Sequence, residues 1–197
     1  ASQAKGKSTS YNLLRSEDVL SALDCLKKLG VKINISKNKC QIIGNGLNSF
    51  KNKKNLTLNC GNSGTLARTI LGLLVHSKAK IKIIGVNSLS KRDFLRIINP
   101  LKKFGAKFKS NKGKLPVEIV GTTFAKPIRF YENKGSAQVK SSVMLAAINT
   151  KGSTFIKAKK SRDHSENLFK SLGLKIKIDK KKNHDFIKII GGKEIKS

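Results

Sequence analysis

The chain has 197 residues, a formal net charge of +31 and a hydrophobic content of 38% without tryptophan. A chain of this length can bury a real core and suits one domain of ordinary size, here residues 1–197. No apolar run approaches the roughly 20 residues that span a bilayer, and residues 1–10 lack the apolar segment of a signal peptide. We therefore expect a cytoplasmic protein without a membrane partner.

The cysteine pattern points to a reducing compartment. Cys25, Cys40 and Cys60 are odd in number and form no CxxC motif, so neither a disulfide framework nor a zinc site is indicated. Cys60 borders a glycine turn, but no base stands nearby in the sequence to activate its thiol. We expect no metal and no cofactor.

The positive charge raises the possibility of a nucleic-acid partner. Only six of the 42 basic residues are arginine, and the lysines are spread through the chain. Aromatic residues make up 6% of the sequence and do not interleave with the basic residues as a stacking platform requires. We therefore expect no nucleic-acid partner, and a lysine-rich nucleic-acid-binding module is the alternative from a different class.

The first predicted helix follows Ser16, which is a suitable N-cap because Glu17 and Asp18 place acidic charge in the first turn. The apolar residues after it recur on one helical face, and Gly30 ends the helix. Residues 31–35 alternate as a strand, and residues 39–44 form a second strand across a Lys-Asn turn.

This pattern of helix, glycine and strand pair returns twice. The three helices end at glycines in similar surroundings: Gly30, Gly105 and Gly173. A strand that opens on a small residue precedes each helix, at intervals of 73 residues: Gly6, Ala79 and Gly152. The sequence therefore predicts three repeat units, over about 1–55, 56–125 and 126–197.

A full unit reads strand, helix, strand, helix, strand, strand (βαβαββ). Its first helix is predicted at 65–76 in the second unit and at 138–148 in the third. The first unit lacks this helix because the chain opens at the strand that should follow it, so we interpret the chain as part of a larger protein. The helices are apolar on one face or nearly all round. We therefore predict an α/β (α+β) fold with pseudo-threefold symmetry, helices packed centrally and sheets outside.

Two stretches are typical of anion sites at helix starts. Residues 135–142 (GSAQVKSS) and 60–68 (CGNSGTLAR) each place glycine and small hydroxyl residues before an apolar run. The first turn of a helix offers free N–H groups to an anion, although small residues there are more often plain caps. An Arg-Asp pair follows each stretch, at 92–93 and 162–163. Together they predict a site for a phosphorylated or carboxylated ligand.

Several motifs resemble the family of 5-enolpyruvylshikimate-3-phosphate (EPSP) synthase. They occur in the family's order and spacing from about residue 6 to the end: 16–19 (SEDV), 61–65 (GNSGT) with Arg68, 89–92 (LSKR), 136–141 (SAQVKS) and 161–166 (SRDHSE). The resemblance implies two domains of three βαβαββ units each, closing on the substrates between them. This chain is similar to most of the N-terminal domain. It lacks the family's opening Lys-Ser-x-Ser-x-x-Arg segment and the C-terminal domain with its acidic catalytic residues.

The resemblance implies a transferase of the shikimate pathway, which makes aromatic amino acids by way of chorismate. Such an enzyme moves the enolpyruvyl group of phosphoenolpyruvate to the 5-hydroxyl of shikimate-3-phosphate. This chain would bind both substrates and the missing C-terminal domain, as a monomer, and we expect it to be inactive alone. The alternative within the same architecture is the enolpyruvyl transferase acting on UDP-N-acetylglucosamine. The motifs at 136–138 and 162–164, and the absence of that enzyme's cysteine loop, argue against it.

The resemblance also implies roles for individual residues, none of them catalytic. Four would bind shikimate-3-phosphate: Ser136, Ala137, Gln138 and Arg162. Five would bind phosphoenolpyruvate: Asn62, Gly64, Thr65, Arg92 and Gln138. Arg68 and Lys140 would support the site from behind. Gly64 matches the position that decides sensitivity to the herbicide glyphosate. Asp93 stands where the family usually has proline, and its carboxylate is expected to pair with Arg92.

Overall fold

A computed structural model describes residues 1–50 and 54–195, which form eleven strands, six α-helices and one short 3-10 turn. The first unit contains β1 (Lys5–Tyr11), α1 (Glu17–Lys28), β2 (Lys32–Ile35) and β3 (Lys39–Asn45). The second contains β4 (Leu56–Asn59), α2 (Gly64–Leu73) with a 3-10 turn (Leu74–His76), β5 (Lys80–Ile84), α3 (Asn87–Ser90), α4 (Leu95–Lys103), β6 (Lys107–Asn111) and β7 (Lys114–Val120). The third contains β8 (Arg129–Glu132), α5 (Ala137–Asn149), β9 (Gly152–Lys159), α6 (His164–Ser171), β10 (Ile176–Lys180) and β11 (His184–Gly191).

The sheets repeat one topology. The second unit has strand order β4-β5-β7-β6, the third has β8-β9-β11-β10, and the first has β1-β3-β2. The outer pairs β4–β5 and β8–β9 are parallel and the other pairs are antiparallel. The predicted βαβαββ fold is confirmed, with the first unit lacking both the first strand and the first helix. The unit limits near residues 55 and 125 fall between β3 and β4 and between β7 and β8, and they stay a prediction.

Helix α1 begins where its capping residues predict. The Ser16 hydroxyl accepts a hydrogen bond from the Val19 N–H at 3.4 Å, which satisfies one of the N–H groups left free in a first turn. At the other end the chain leaves the helix through Gly30, whose φ of 85° is the left-handed conformation that glycine adopts without strain. The local sequence therefore sets both ends of this helix.

Helices α2 and α5 form the centre of the domain. They approach so closely that a Cβ atom on Gly72 of α2 would lie 2.2 Å from the carbonyl oxygen of Ser142 on α5. The Ser142 hydroxyl donates to the carbonyl oxygen of Arg68 at 2.8 Å. Helix α5 is buried nearly all round, whereas the strand β9 alternates between buried and exposed side chains. This confirms the predicted arrangement of central helices and outer sheets.

Each of the three units has one glycine, in or just after a strand, that lies against a backbone carbonyl group. A Cβ atom on this glycine would lie within 2.3 Å of the carbonyl oxygen: Gly44 against Ala4, Gly121 against Val75, and Gly191 against Ala147. In the second unit the contacted residue belongs to the 3-10 turn, and in the third it belongs to the last turn of α5. Residues 1–4 occupy the equivalent position in the first unit. Only glycine permits this approach, so the same packing recurs three times.

The outer face of the third sheet places aromatic side chains beside basic ones. Strand pairing sets Phe155 of β9 beside Arg129 of β8 and Lys188 of β11, and it sets Phe186 of β11 beside Lys157 of β9. Residues that are far apart in the sequence thus become cross-strand neighbours. Aromatic and basic residues therefore interleave on this face, contrary to the expectation from the sequence.

Over residues 1–50 and 54–195, no helix is long and apolar enough to cross a membrane.

Candidate functional site

Both predicted helix starts are formed and capped. Ser63 precedes α2 and accepts from the Leu66 N–H at 3.3 Å. Ser136 precedes α5 and accepts from the Val139 N–H at 3.4 Å. Each serine side chain therefore caps its own helix, as the plain reading of these residues predicts. The other N–H groups of each first turn have no acceptor within the helix, so they remain available to an anion.

Gln138 joins the two helix starts. Arg68 Nη1 on α2 donates to Gln138 Oε1 at 2.6 Å, and Gln138 Nε2 donates back to Thr65 Oγ1 on α2 at 2.8 Å. These partners are 70 and 73 residues from Gln138 in sequence. The two stretches, which are far apart in the sequence, therefore lie side by side and are hydrogen-bonded to each other.

Gly64 lets two arginines lie against the start of α2. A Cβ atom at Gly64 would lie 2.8 Å from Arg92 Nη1 and 3.3 Å from Arg68 Nη1. Burial, followed by the positive charges of Arg92 and Arg96, lowers the pKa of the Arg68 guanidinium. Three cations at the positive end of a helix repel one another. A bound anion would relieve that repulsion.

The expected pair between Arg92 and Asp93 is not formed. The Asp93 carboxylate accepts from the Leu95 N–H at 2.7 Å, at the start of α4. The carboxylate thus serves as a hydrogen-bond acceptor for one of the free N–H groups in the first turn of α4. Across the described residues Arg92 has no acidic partner within ion-pair distance, so its charge is available to a ligand.

A pocket of about 460 Å³ opens at the start of α5. Its lining combines cations, amides and hydroxyls: Arg96, Lys134, Gly135, Ser136, Ala137, Gln138, Ser161 and Arg162. The buried Ser161 hydroxyl has no hydrogen-bond partner among the described residues. Asp163 forms its ion pair with Lys180 at 2.8 Å and not with its sequence neighbour Arg162. Among the described residues, the Arg162 side chain has no hydrogen-bond or ion-pair partner.

Glu132 organises this pocket and was missed in the sequence. Its carboxylate, 3% exposed, accepts from the Ser136 N–H at 2.9 Å and the Lys134 N–H at 3.2 Å. It also pairs with Arg96 Nη2 at 3.3 Å. Glu132 therefore fixes the turn before α5 and holds Arg96 at the pocket. The sequence carries no signal for this role, because the contact with Arg96 spans 36 residues.

Behind the pocket lies a buried ion pair. Lys140 Nζ of α5 lies 2.5 Å from Glu166 Oε1 of α6, and their side chains are 0% and 1% exposed. Apart from this contact, neither charged group finds a hydrogen-bond partner in the described part of the chain. The pair ties α5 to α6, which begins two residues after Arg162. Lys140 is therefore positioned to support the pocket and not to touch a ligand.

The remaining predicted residue, Asn62, lies on the turn before α2. Its Oδ1 accepts from the Ser88 hydroxyl at 2.8 Å, which links this turn to α3. Cys60 precedes the same turn and is fully buried. A hydrogen bond with Cys25, together with burial, raises the pKa of the Cys60 thiol. The thiol is therefore protonated and not a nucleophile at neutral pH.

The structure thus gathers the predicted residues in two adjoining groups. One group lines the pocket at α5: Ser136, Ala137, Gln138 and Arg162. The other surrounds the start of α2: Asn62, Gly64, Thr65, Arg68 and Arg92. Sequence reasoning missed four residues of the first group and its support: Arg96, Glu132, Lys134 and Ser161. Fold and site together define an α/β domain of repeated units in which two helix starts and several arginines lie beside one pocket.

The chain belongs to the EPSP synthase family. The family model, described as EPSP synthase (3-phosphoshikimate 1-carboxyvinyltransferase), matches residues 1–197. The chain is 43% identical over 196 residues to the 3-phosphoshikimate 1-carboxyvinyltransferase of Ruthia magnifica subsp. Calyptogena magnifica, a match that covers 98% of this chain and 44% of the relative. The enzyme of the same name from Bacillus subtilis (strain 168) is 35% identical over 195 residues, with 98% and 44% covered.

A solved structure gives the same result. The EPSP synthase of Acinetobacter baumannii superposes with a TM-score of 0.88 at 32% identity, covering 100% of this chain and 44% of that one. The chain therefore spans about 44% of the length of the relatives it matches. The family resemblance and the predicted fold class are confirmed, and neither the UDP-N-acetylglucosamine enolpyruvyl transferase nor a lysine-rich nucleic-acid-binding module is favoured as the class of this protein.

Proposed function

We propose that this chain is the shikimate-3-phosphate-binding half of an EPSP synthase. That enzyme transfers the enolpyruvyl group of phosphoenolpyruvate to the 5-hydroxyl of shikimate-3-phosphate and releases phosphate. The single observation that carries the proposal is the Arg68–Gln138–Thr65 network, which joins the starts of α2 and α5. The names of the relatives support the reaction class.

The pocket at α5 suits the phosphate of shikimate-3-phosphate. First-turn N–H groups of the helix point positive charge at an anion there. Arg162, which has no other partner in the described structure, can clamp the phosphate with paired donors. The unpartnered Ser161 hydroxyl adds a further hydrogen-bonding group. Arg96 and Lys134 supply the remaining charge at the rim.

The start of α2 suits the smaller substrate. Arg92 and Arg68 offer guanidinium groups to the carboxylate and phosphate of phosphoenolpyruvate, and Gly64 leaves them room. Gln138 contacts this region through Arg68 and Thr65 while it also lines the pocket at α5. The shared residue would hold the two substrates side by side, which makes their reaction effectively unimolecular. The same cations would stabilise charge in the tetrahedral intermediate.

The acid–base chemistry would come from elsewhere in the enzyme. Beside the pocket, the Glu132 carboxylate is buried and accepts from three donors. Proton transfer requires a group within reach of the reacting atoms, and Glu132 is committed to the turn. We infer that a C-terminal domain supplies these groups and closes over the site. The chain alone would then be a cytoplasmic monomer that binds substrate without turnover.

A calorimetric titration with shikimate-3-phosphate tests this proposal. The wild-type chain is expected to bind saturably, and Gln138→Ala and Arg162→Ala are each expected to weaken binding roughly tenfold or more, because each removes a hydrogen bond to a charged group. Arg129→Ala is the matched control, since it removes the same charge from the outer face of the third sheet. It should bind as the wild type does. A folded wild type without saturable binding, or two site variants with unchanged affinity, would contradict the proposal.

Substitution of Gly64 separates the two substrates. In Gly64→Ala the new methyl group meets Arg92 Nη1 at 2.8 Å, so the guanidinium must move out of the position proposed for phosphoenolpyruvate. We expect about tenfold weaker phosphoenolpyruvate binding to the protein saturated with shikimate-3-phosphate, since a bidentate contact is lost. Shikimate-3-phosphate affinity should change less than about twofold. The measurement is the ligand-induced shift of the thermal midpoint. An equal loss of affinity for both ligands would refute the assignment of Arg92 to phosphoenolpyruvate.

A further inference from the structure

The outer face of the third sheet carries aromatic and basic side chains in two ordered rows. One row runs across the four strands in the order β8, β9, β11 and β10. Its residues are Arg129, Phe155, Lys188 and Lys177. The residues of the adjacent row are Tyr131, Lys157, Phe186 and Asp179. The three rings are diagonal neighbours, which lie about 7 to 8 Å apart in a sheet. They therefore form a zigzag of rings surrounded by cations.

The rings are exposed although they are large and apolar. Tyr131 is 50% exposed, Phe155 36% and Phe186 42%, and they line an open groove of about 580 Å³. The cations lie over the ring faces: Arg129 is 4.9 Å from the Phe155 centroid, and Lys157 is 4.9 Å from the Tyr131 centroid. An ordered apolar patch on the solvent face of a sheet is typical of a contact surface.

The charge on this face is positive and largely uncompensated. Its basic residues are Lys103, Arg129, Lys157, Lys177 and Lys188. Over residues 1–50 and 54–195 none of them forms an ion pair. Asp179 also lines the groove, but its carboxylate pairs with Lys181 at 3.2 Å, so it does not neutralise the row beside it. The groove therefore favours a partner that carries regularly spaced negative charges.

We propose that this face binds single-stranded nucleic acid. Unpaired bases would stack on Tyr131, Phe155 and Phe186, while the cations between the rings would contact the phosphates. A base that stacks on Phe155 would take the place of the Arg129 guanidinium, which would turn to a phosphate. A duplex keeps its bases in the stack, so the rings could contribute nothing to binding it. Ring exposure and charge thus favour single strands over duplexes.

This surface would act in addition to the substrate site and is independent of it. The face lies on the solvent side of β8–β11, whereas the substrate pocket lies at the helix starts of the central layer. Bulk charge alone would bind any polyanion through counterion release. The rings are what distinguish a specific stacking surface from a merely basic one. The experiment therefore changes the rings and leaves the charge constant.

The test is fluorescence anisotropy of a labelled single strand of about 10 nucleotides at about 0.2 M salt, beside the duplex of the same sequence. The triple variant Tyr131→Leu/Phe155→Leu/Phe186→Leu removes the rings at constant net charge. Phe124→Leu is the control, since Phe124 is 85% exposed and outside the groove. Wild type and control are expected to prefer the single strand, and the triple variant to bind it about a hundredfold less tightly, because stacking contributes at each base.

Two outcomes would overturn the proposal. One is a folded triple variant that binds the single strand as tightly as the wild type does. The other is a wild type that binds the duplex at least as tightly as the single strand, which would mean that charge alone acts. If circular dichroism shows the triple variant to be unfolded, the single variant Phe155→Leu replaces it in the test. Its affinity for the single strand is expected to fall about tenfold. An unchanged affinity would contradict the proposal.

Discussion

Replacing Lys140 by methionine is expected to lower the free energy of unfolding by about 3 to 5 kcal/mol. Lys140 and Glu166 are 0% and 1% exposed, so water cannot solvate the carboxylate that the substitution leaves behind. In the described residues the Glu166 carboxylate finds no other hydrogen-bond partner to take its charge. Urea unfolding followed by far-ultraviolet circular dichroism should show a lower midpoint at an unchanged slope.

The matched control is the double variant Lys140→Met/Glu166→Leu. Replacing both members of a buried ion pair by apolar groups of similar volume is often neutral or stabilising, so most of the lost stability should return. The double variant should also retain shikimate-3-phosphate binding, because Lys140 lies behind the pocket. If Lys140→Met is as stable as the wild type, the buried pair does not hold α5 to α6 as described.

The second large effect is expected at Gly72, where α2 meets α5. In Gly72→Ala the added Cβ atom would lie 2.2 Å from the Ser142 carbonyl oxygen, so the two helix backbones must separate. We expect a loss of about 3 kcal/mol of stability, although alanine is about 1 kcal/mol better than glycine within a helix. The separation would also break the bond from the Ser142 hydroxyl to the Arg68 carbonyl. Thermal and urea midpoints measure the loss.

Gly64→Ala is the matched control for this effect. Both glycines are buried in α2, but the Cβ atom at Gly64 meets the ends of flexible arginine side chains instead of a backbone. Gly64→Ala should therefore unfold close to the wild-type midpoint. Gly72→Ala should also bind shikimate-3-phosphate more weakly, because moving α2 displaces Arg68 from Gln138. Equal stability of the two variants would show that the α2–α5 contact is not as tight as its geometry implies.

Much of the fold could be predicted because its determinants are local and repeated. Ser16 and Gly30 mark the ends of α1 through capping alone, and the recurrence of that pattern predicts the other two units. The short helix α3 (Asn87–Ser90) was not predicted, since four residues show no helical periodicity. The alternation of rings and cations on the third sheet was also missed. It depends on strand register, which sets both Arg129 and Lys188 beside Phe155 although all three are far apart in the sequence.

The site was only partly predictable, for the same physical reason. Ser136, Ala137 and Gln138 stand out because small residues before an apolar run indicate a helix start. The network from Gln138 to Arg68 and the support from Glu132 arise only when the units pack together. Asp93 shows how a local pattern can mislead: its sequence neighbour is Arg92, but its hydrogen bond is to the start of α4.

The central claim is that the start of α5 binds shikimate-3-phosphate, and amide chemical-shift mapping tests it most directly. A titration of the nitrogen-15-labelled chain should move the backbone amides of residues 135–139 and 161–163 most, with smaller changes near Arg68 and Thr65. The outer face of the third sheet, which carries Lys157, Lys177 and Lys188, should change little. Saturating shifts that centre on that face and leave residues 135–139 unmoved would contradict the account.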